Sequence, residues 1–123
     1  MKNFNYYNNS VEEGYYDKIY KKNAGVQSAW HHIKFNYIKN KISKSKKHLD
    51  VGCGPGTFLG ILKKKAVGID IAKNQINYAK KNYSNKKLKF LTYKNKFPIK
   101  SNSVDTISLI ELIEHLDNKD LSF

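Results

Sequence analysis

At 123 residues the chain has room for one domain with a modest core, and its 40% hydrophobic residues, nine tyrosines and six phenylalanines exclude a disordered polymer. No apolar run reaches the ~18 residues that a bilayer crossing needs, and the opening residues Met1 to Ser10 lack the basic-then-apolar order of a secretory signal. The single cysteine, Cys53, excludes an internal disulfide framework and fits a reducing compartment, with the cytoplasm as the default. The formal charge of +13 invites a nucleic-acid partner, but all 23 basic side chains are lysines and they are scattered along the chain. Base readout and bidentate phosphate contacts favour arginine, so a polyanion or membrane-surface contact stays open without being favoured.

In chain order, residues 1–14 read as a mobile polar lead-in. From Tyr15 apolar residues recur at helical spacing. The stronger helix is expected from about Val26 to Ile42, with Val26, Trp30, Ile33, Tyr37 and Ile42 near one face. Short apolar strands then alternate with amphipathic helices. Strands are expected at His48–Val51, Ala66–Asp70, Leu88–Thr92 and Val104–Ile110, and helices at Thr57–Lys64 and Lys73–Tyr83. That alternation implies βαβ units with right-handed crossovers, hence an α/β fold with a parallel sheet.

The stretch Asp50-Val51-Gly52-Cys53-Gly54-Pro55-Gly56 follows a strand and opens a helix. Such a turn passes through conformations that Cβ-bearing residues avoid, and a ligand must approach backbone N–H groups closely. A helix N-terminus attracts an anion. The dinucleotide fingerprint G-x-G-x-x-G fails here, because Thr57 stands where its third glycine belongs. The acid two positions before Gly52 would repel a pyrophosphate but suits an ammonium group, and S-adenosylmethionine carries both an ammonium and a carboxylate on its methionine end. The alternative is a glycine-rich turn with no ligand. Asp70 closes the second strand, where a carboxylate can accept hydrogen bonds from both hydroxyls of a ribose; the alternative there is a helix-capping or turn acid.

The segments Leu49 to Thr57, Val67 to Asp70, Phe97 to Asp105 and Ile110 to Leu116 together resemble class I S-adenosylmethionine-dependent methyltransferases of the type 11 and ubiquinone-methyltransferase-like group. The resemblance implies a Rossmann-like parallel sheet with helices on both faces. Four strands in the order 3-2-1-4 are expected here, of about seven in the family. It implies cofactor contacts from Asp50, Gly52, Cys53, Gly54 and Gly56 at the methionine end, from Asp70 and Ile71 at the ribose, and from Glu111 nearby. Residues 15–45 resemble the N-terminal helices that cap the cofactor in this group, with Trp30, His31 and His32 on the longer one; residues 46–123 are the cofactor-binding βα units. The family places an Asp after the third strand for the adenine amino group, and Tyr93 stands there instead, so its hydroxyl or a backbone carbonyl would substitute.

Glu111, Glu114 and His115 follow the fourth strand, and on a helix they share one face. Three readings stay open: a general base or acceptor-positioning pair of Glu114 and His115, a divalent-metal site of all three, and a structural role. A metal is allowed but not expected. Glu-x-x-Glu-His resembles a metal pattern of ubiquinone-pathway O-methyltransferases and of small-RNA 2′-O-methyltransferases. His31, His32 and His48 show no partner in the sequence and read as structural, and Cys53 as a small packing residue. The expected reaction is methyl transfer to a small-molecule or lipid-like acceptor, most simply O-methylation. The alternatives are an RNA 2′-O-methyltransferase and a non-catalytic cofactor-binding remnant. Because only four strands of the resembled sheet are represented, the chain is expected to be a fragment or a truncated reading frame, or else to need a partner chain over the exposed edge of its fourth strand.

Overall fold

The computed structural model describes residues 11–110. Helices α1 (Tyr15–Lys21) and α2 (Val26–Lys41) precede β1 (His48–Val51), α3 (Thr57–Leu62), β2 (Ala66–Asp70), α4 (Lys73–Tyr83), β3 (Leu88–Thr92) and β4 (Thr106–Ser108). The four strands form one sheet in the order β3-β2-β1-β4, with every neighbouring pair parallel. The expected order is thus observed. Three strands and α4 run over the spans expected from periodicity; α3 stops at Leu62 and β4 is confined to Thr106–Ser108.

β1 is the centre of the sheet, and all four of its residues are buried. Alternation along each strand sends side chains to two faces. On one face Ala66, Leu88 and Phe90 pack beneath Phe58, Leu59 and Leu62 of α3 and Ile76 and Ala79 of α4, with Phe35, Ile38 and Ile42 closing over them. On the other face Leu49, Val51 and Ile69 pack with Val67, Leu91, Tyr93, Ile99, Val104 and Leu109. All the helical residues of these two clusters sit on the first face.

The long helix α2 turns round relative to its sequence reading. Val26, Trp30, Ile33 and Tyr37 are exposed, Trp30 at 54%. The helix packs instead through Ser28, which is buried, and through Phe35 and Ile38, with Ile42 just beyond its end. At about 100° per residue, Ile42 lies nearly opposite Val26, so the stripe contained two faces rather than one. Two apolar faces compete on this helix, and the one complementary to Phe58 wins; the Phe35 and Phe58 rings meet at 5.3 Å.

Helix α1 is anchored by one buried acid. Asp17 is 0% exposed and accepts hydrogen bonds from the hydroxyls of Thr57 (2.7 Å), Tyr78 (2.6 Å) and Tyr83, with Lys21 Nζ at 3.0 Å. It ties α1 to the first residue of α3 and to the last turns of α4. Nothing in the sequence spacing marked this residue. Residues 11–14 of the lead-in also hold to α4: Gly14 N–H donates to Gln75 Oε1, while Gln75 and Asn74 side-chain amides donate to the carbonyls of Glu12 and Val11.

Burial alone would raise the Asp17 pKa, but its four donors outweigh burial and hold it below the ordinary 3.8. The stabilisation is therefore complete at neutral pH and is lost as pH falls below about 4. Asp17→Asn leaves one hydroxyl facing an amide N–H₂ and should lower unfolding free energy by ~2–4 kcal/mol at pH 7, read by urea denaturation, with the difference narrowing in acid.

Candidate cofactor site

The glycine loop occupies the point where the strand order reverses, between β2 on one side of β1 and β4 on the other. Open α/β sheets bind ligands at such a crevice, above the carboxyl ends of the strands. The loop leaves β1 with Gly52 and Cys53 N–H both donating to Ile69 O, at 2.8 and 3.0 Å. Gly52, Gly54 and Gly56 all have positive φ. At Gly54 (φ +55) a Cβ would meet nothing within 4 Å, so the backbone there faces open space. At Gly56 (φ +86) a Cβ would stand 2.9 Å from Phe90 Cε1 and 3.0 Å from Ala79 Cβ. Gly54 thus leaves room above the loop, whereas Gly56 lets α3 close onto the sheet. Helix α3 has six residues, so its dipole is small, and the loop geometry carries the cradle.

Two carboxylates flank the loop. Asp70, at the end of β2, is half-buried; its Oδ2 accepts Gly54 N–H at 2.8 Å and its Oδ1 accepts Ala72 N–H at 2.9 Å. Burial raises its pKa, opposed by the backbone N–H groups of Ala72, Gly54 and Ile71. A carboxylate has about four lone-pair sites, so each oxygen keeps acceptor capacity for a ribose hydroxyl. Asp50, on β1 beneath the loop, is 2% exposed and its Oδ1 lies 2.6 Å from Ser108 Oγ. Burial pushes its pKa up to about 7, against the pull of the Ser108 hydroxyl and helped by the Asp70 charge. A buried acid of this kind either keeps its proton or is paired with a cation.

The remaining predicted positions divide. Ile71 is buried directly after Asp70. Cys53 packs in the helical-face core with its thiol against Gly54 O, and burial raises its pKa well above the ordinary value, which matches a packing residue. Tyr93 N–H donates to Asp70 O, and the ring meets Phe97 edge-on at 5.2 Å, at the mouth of the second core. His32 stacks on Tyr20 at 3.9 Å, with Nε2 3.0 Å from Tyr20 O. Glu111, Glu114 and His115 lie outside the described residues. Among the described residues no cluster of three or more His, Cys, Asp or Glu could hold a metal ion, and no helix is long and apolar enough to cross a membrane.

Sequence reading missed Ser108 and could not name the partners of His48. The His48 imidazole is fully buried on β1, with Nδ1 2.7 Å from Thr106 Oγ1 and Nε2 2.8 Å from Ser108 Oγ. Its partners come from β4, 58 and 60 residues away. The alternation of polar residues at 48 and 50 and at 106 and 108 was the available signal.

A Rossmann-like sheet with a positive-φ glycine loop at its switch point, an acid beneath the loop and a second acid at the end of the adjacent strand defines a nucleoside-binding α/β enzyme domain. Residues 49–123 match the type 11 family described as "Methyltransferase domain", and the chain belongs to that family, whose members bind S-adenosylmethionine. No curated protein matches. Among solved structures, the fold is similar to the methyltransferase domain of bacterial CtHen1-C at 23% identity and a TM-score of 0.63, covering 72% of this chain and 53% of that one. It is also similar to a SAM-dependent methyltransferase from Aquifex aeolicus at 27% identity and a TM-score of 0.55, covering 75% and 54%. The chain spans about half the length of these structures.

The two glycines predict opposite outcomes. Gly54→Ala should cost ~1 kcal/mol of stability, for positive φ alone, yet weaken S-adenosylmethionine binding about tenfold or more by filling the space above the loop. Gly56→Ala adds a core clash and should cost ~3 kcal/mol, read by urea midpoint.

The folded chain holds the Asp50 proton to higher pH than the unfolded chain, so ionising it costs stability from about pH 4 and fully so above about 7. Asp50→Asn should therefore raise unfolding free energy by up to ~4 kcal/mol at alkaline pH, with no gain near pH 4.

Proposed function

We propose that this chain forms the cofactor-binding half of an S-adenosylmethionine-dependent methyltransferase acting by O-methylation on a small-molecule or lipid-like acceptor. The observation that carries the reading is the pair Asp50 and Asp70 on either side of the open, positive-φ loop at the switch point. Asp50 pairs with the methionine ammonium, Gly52 and Gly54 let the amino-acid end approach the backbone, and Asp70 accepts the ribose hydroxyls while its bonds to Gly54 and Ala72 hold it in place. Ile71 and Tyr93 flank the nucleoside end.

S-adenosylmethionine supplies a methyl group already activated on a sulfonium. The protein's contribution is then to orient the acceptor in line with that methyl and to exclude water. A hydroxyl acceptor also needs its proton removed, a role assigned by sequence pattern to His115 with Glu114. The lipid-like acceptor is supported by the exposed apolar stripe Val26, Trp30, Ile33 and Tyr37 on α2, a surface suited to a hydrocarbon chain.

The charge of +13 and the Glu-x-x-Glu-His pattern favour an RNA 2′-O-methyltransferase as the second reading. It predicts RNA binding that weakens steeply with salt, and RNA binding indifferent to salt would count against it.

Calorimetric titration of S-adenosylmethionine tests the cofactor assignment, with circular dichroism on the same samples. Asp70→Ala should weaken binding by about 100-fold, the value of two hydrogen bonds to a charged acceptor at ~1.5 kcal/mol each. A folded wild-type chain that does not bind would overturn the reading.

A further inference from the structure

Beneath the glycine loop a file of polar groups runs along the β1–β4 seam. Asp50 Oδ1 lies 2.6 Å from Ser108 Oγ, Ser108 Oγ 2.8 Å from His48 Nε2, and His48 Nδ1 2.7 Å from Thr106 Oγ1. Thr106 Oγ1 lies 2.6 Å from Ser45 Oγ, and Ser45 Oγ 2.6 Å from Asp105 Oδ1. The file thus reaches from the buried acid of the site to an acid on the surface at the opposite edge of the sheet.

These five contacts each need one proton. The three hydroxyls supply three. Asp105 supplies none, because the Ser45 hydroxyl and the backbone N–H groups of Lys46 and Lys47 hold it ionised, with its pKa down to about 2. Asp50 and His48 must supply the other two between them. A neutral imidazole brings one, so a further proton sits on the Asp50–His48 pair. If the acid is ionised and the imidazole neutral, one contact in a buried seam is left without its hydrogen bond, a costly state.

Two arrangements satisfy all five contacts. In the first, protonated Asp50 donates to Ser108, Ser108 to His48 Nε2, His48 Nδ1–H to Thr106, Thr106 to Ser45, and Ser45 to Asp105. In the second, the Asp50 proton has passed to Ser108 and the Ser108 proton to His48 Nε2. That leaves an Asp50 carboxylate facing a His48 imidazolium across Ser108. The number of protons is the same in both, and the bonds to Thr106, Ser45 and Asp105 do not change direction.

We propose that His48 is a positioning residue for the cofactor site, taking up the Asp50 proton through Ser108 when an ammonium group arrives, so that Asp50 meets it as a carboxylate. The proposal rests on Asp50 being the ammonium partner. In the free chain the first arrangement holds: Asp50 keeps its proton up to about 7, while burial and the Lys64 charge, opposed by Asp105, lower the His48 pKa to about 4. The groups facing the file are Asp70 and the Cys53 thiol near Asp50, the Phe58 ring from α3 at 6.2 Å from His48, and Lys64, whose ammonium is bound by the carbonyls of Ile42, Ser43 and Ser45. The bound ammonium reverses the preference by stabilising the Asp50 carboxylate, and that carboxylate stabilises the imidazolium.

Imidazole ¹⁵N spectra of the full chain read the proton directly, with His48 assigned from His48→Gln. In the free chain at pH 7 His48 should be the neutral Nδ1–H tautomer. S-adenosylhomocysteine, which carries the same amino-acid end, should protonate both nitrogens. Methylthioadenosine, which lacks that end, should leave His48 neutral. Below the Asp50 pKa, from about pH 5.5 to 6.5, calorimetry in two buffers of unlike ionisation enthalpy should show almost no proton exchange for the wild type, whose affinity stays level over that range. Ser108→Ala cuts the file, and its affinity should then fall about tenfold per pH unit below the Asp50 pKa, with proton release on binding. If that variant does not fold, the wild-type spectra alone decide. An Nε2–H tautomer in the free chain, or a neutral His48 in the S-adenosylhomocysteine complex, sinks the proposal and leaves the cofactor reading standing. A folded chain that shows neither heat nor spectral change with S-adenosylhomocysteine overturns both.

Discussion

β1 carries two polar side chains, His48 and Asp50, into the middle of a parallel sheet where every residue of the strand is buried. Parallel strands covered on both faces are normally apolar runs, because an unpartnered polar group inside a sheet costs several kcal/mol. Here β4 supplies the partners, with His48 opposite Thr106 and Asp50 opposite Ser108 in the register. A slip of one residue would turn Thr106 and Ser108 to the other face and bring Ile107 against His48, leaving the imidazole and the carboxylate without hydrogen bonds. In the observed register Ile107 points to the second face, 57% exposed among the described residues. Polar matching therefore sets the pairing of the shortest strand in the sheet, and with it the crevice between β1 and β4 where the site opens.

The loop above that seam is held at two points by acids from outside it. Asp70 accepts Gly54 N–H from the end of β2, and Asp17 accepts the hydroxyl of Thr57, the first residue of α3. The first hold sets the loop against the neighbouring strand, and the second ties its exit to α1 and α4. A loop of three positive-φ glycines has much backbone freedom to lose, so external restraints of this sort prepare it for a ligand before one binds. The three acids also sit in unlike surroundings. Asp17 is surrounded by donors and stays ionised, Asp70 accepts backbone N–H groups, and Asp50 meets one hydroxyl and little else, so burial governs it. The acid least compensated by the protein is the one proposed to receive a cation.

The outward stripe on α2 belongs to a different level of organisation. Lys34 Nζ lies 5.9 Å from the Trp30 ring centre and Lys41 Nζ 5.4 Å from that of Tyr37, so aromatic faces on this surface are partly covered by lysines of the same helix. Such cation–π contacts lessen the cost of exposing the rings to water. The same lysines contribute to a charge of +13 that periodicity alone could not assign to a face.

The sequence by itself determined the alternation of strands and helices, the α/β class, the glycine loop with its flanking acids, and the family. Each of these is local: a period of two or of 3.6 residues, a glycine spacing, an acid at a strand end. Only the tertiary structure decided which face of α2 packs, because that helix carries two apolar stripes and the choice depends on Phe58. It also decided what Asp17, His48 and Ser108 do. Apart from Lys21 beside Asp17, their partners lie about 40 to 66 residues away along the chain, and a buried polar side chain acquires its role from groups that folding brings to it.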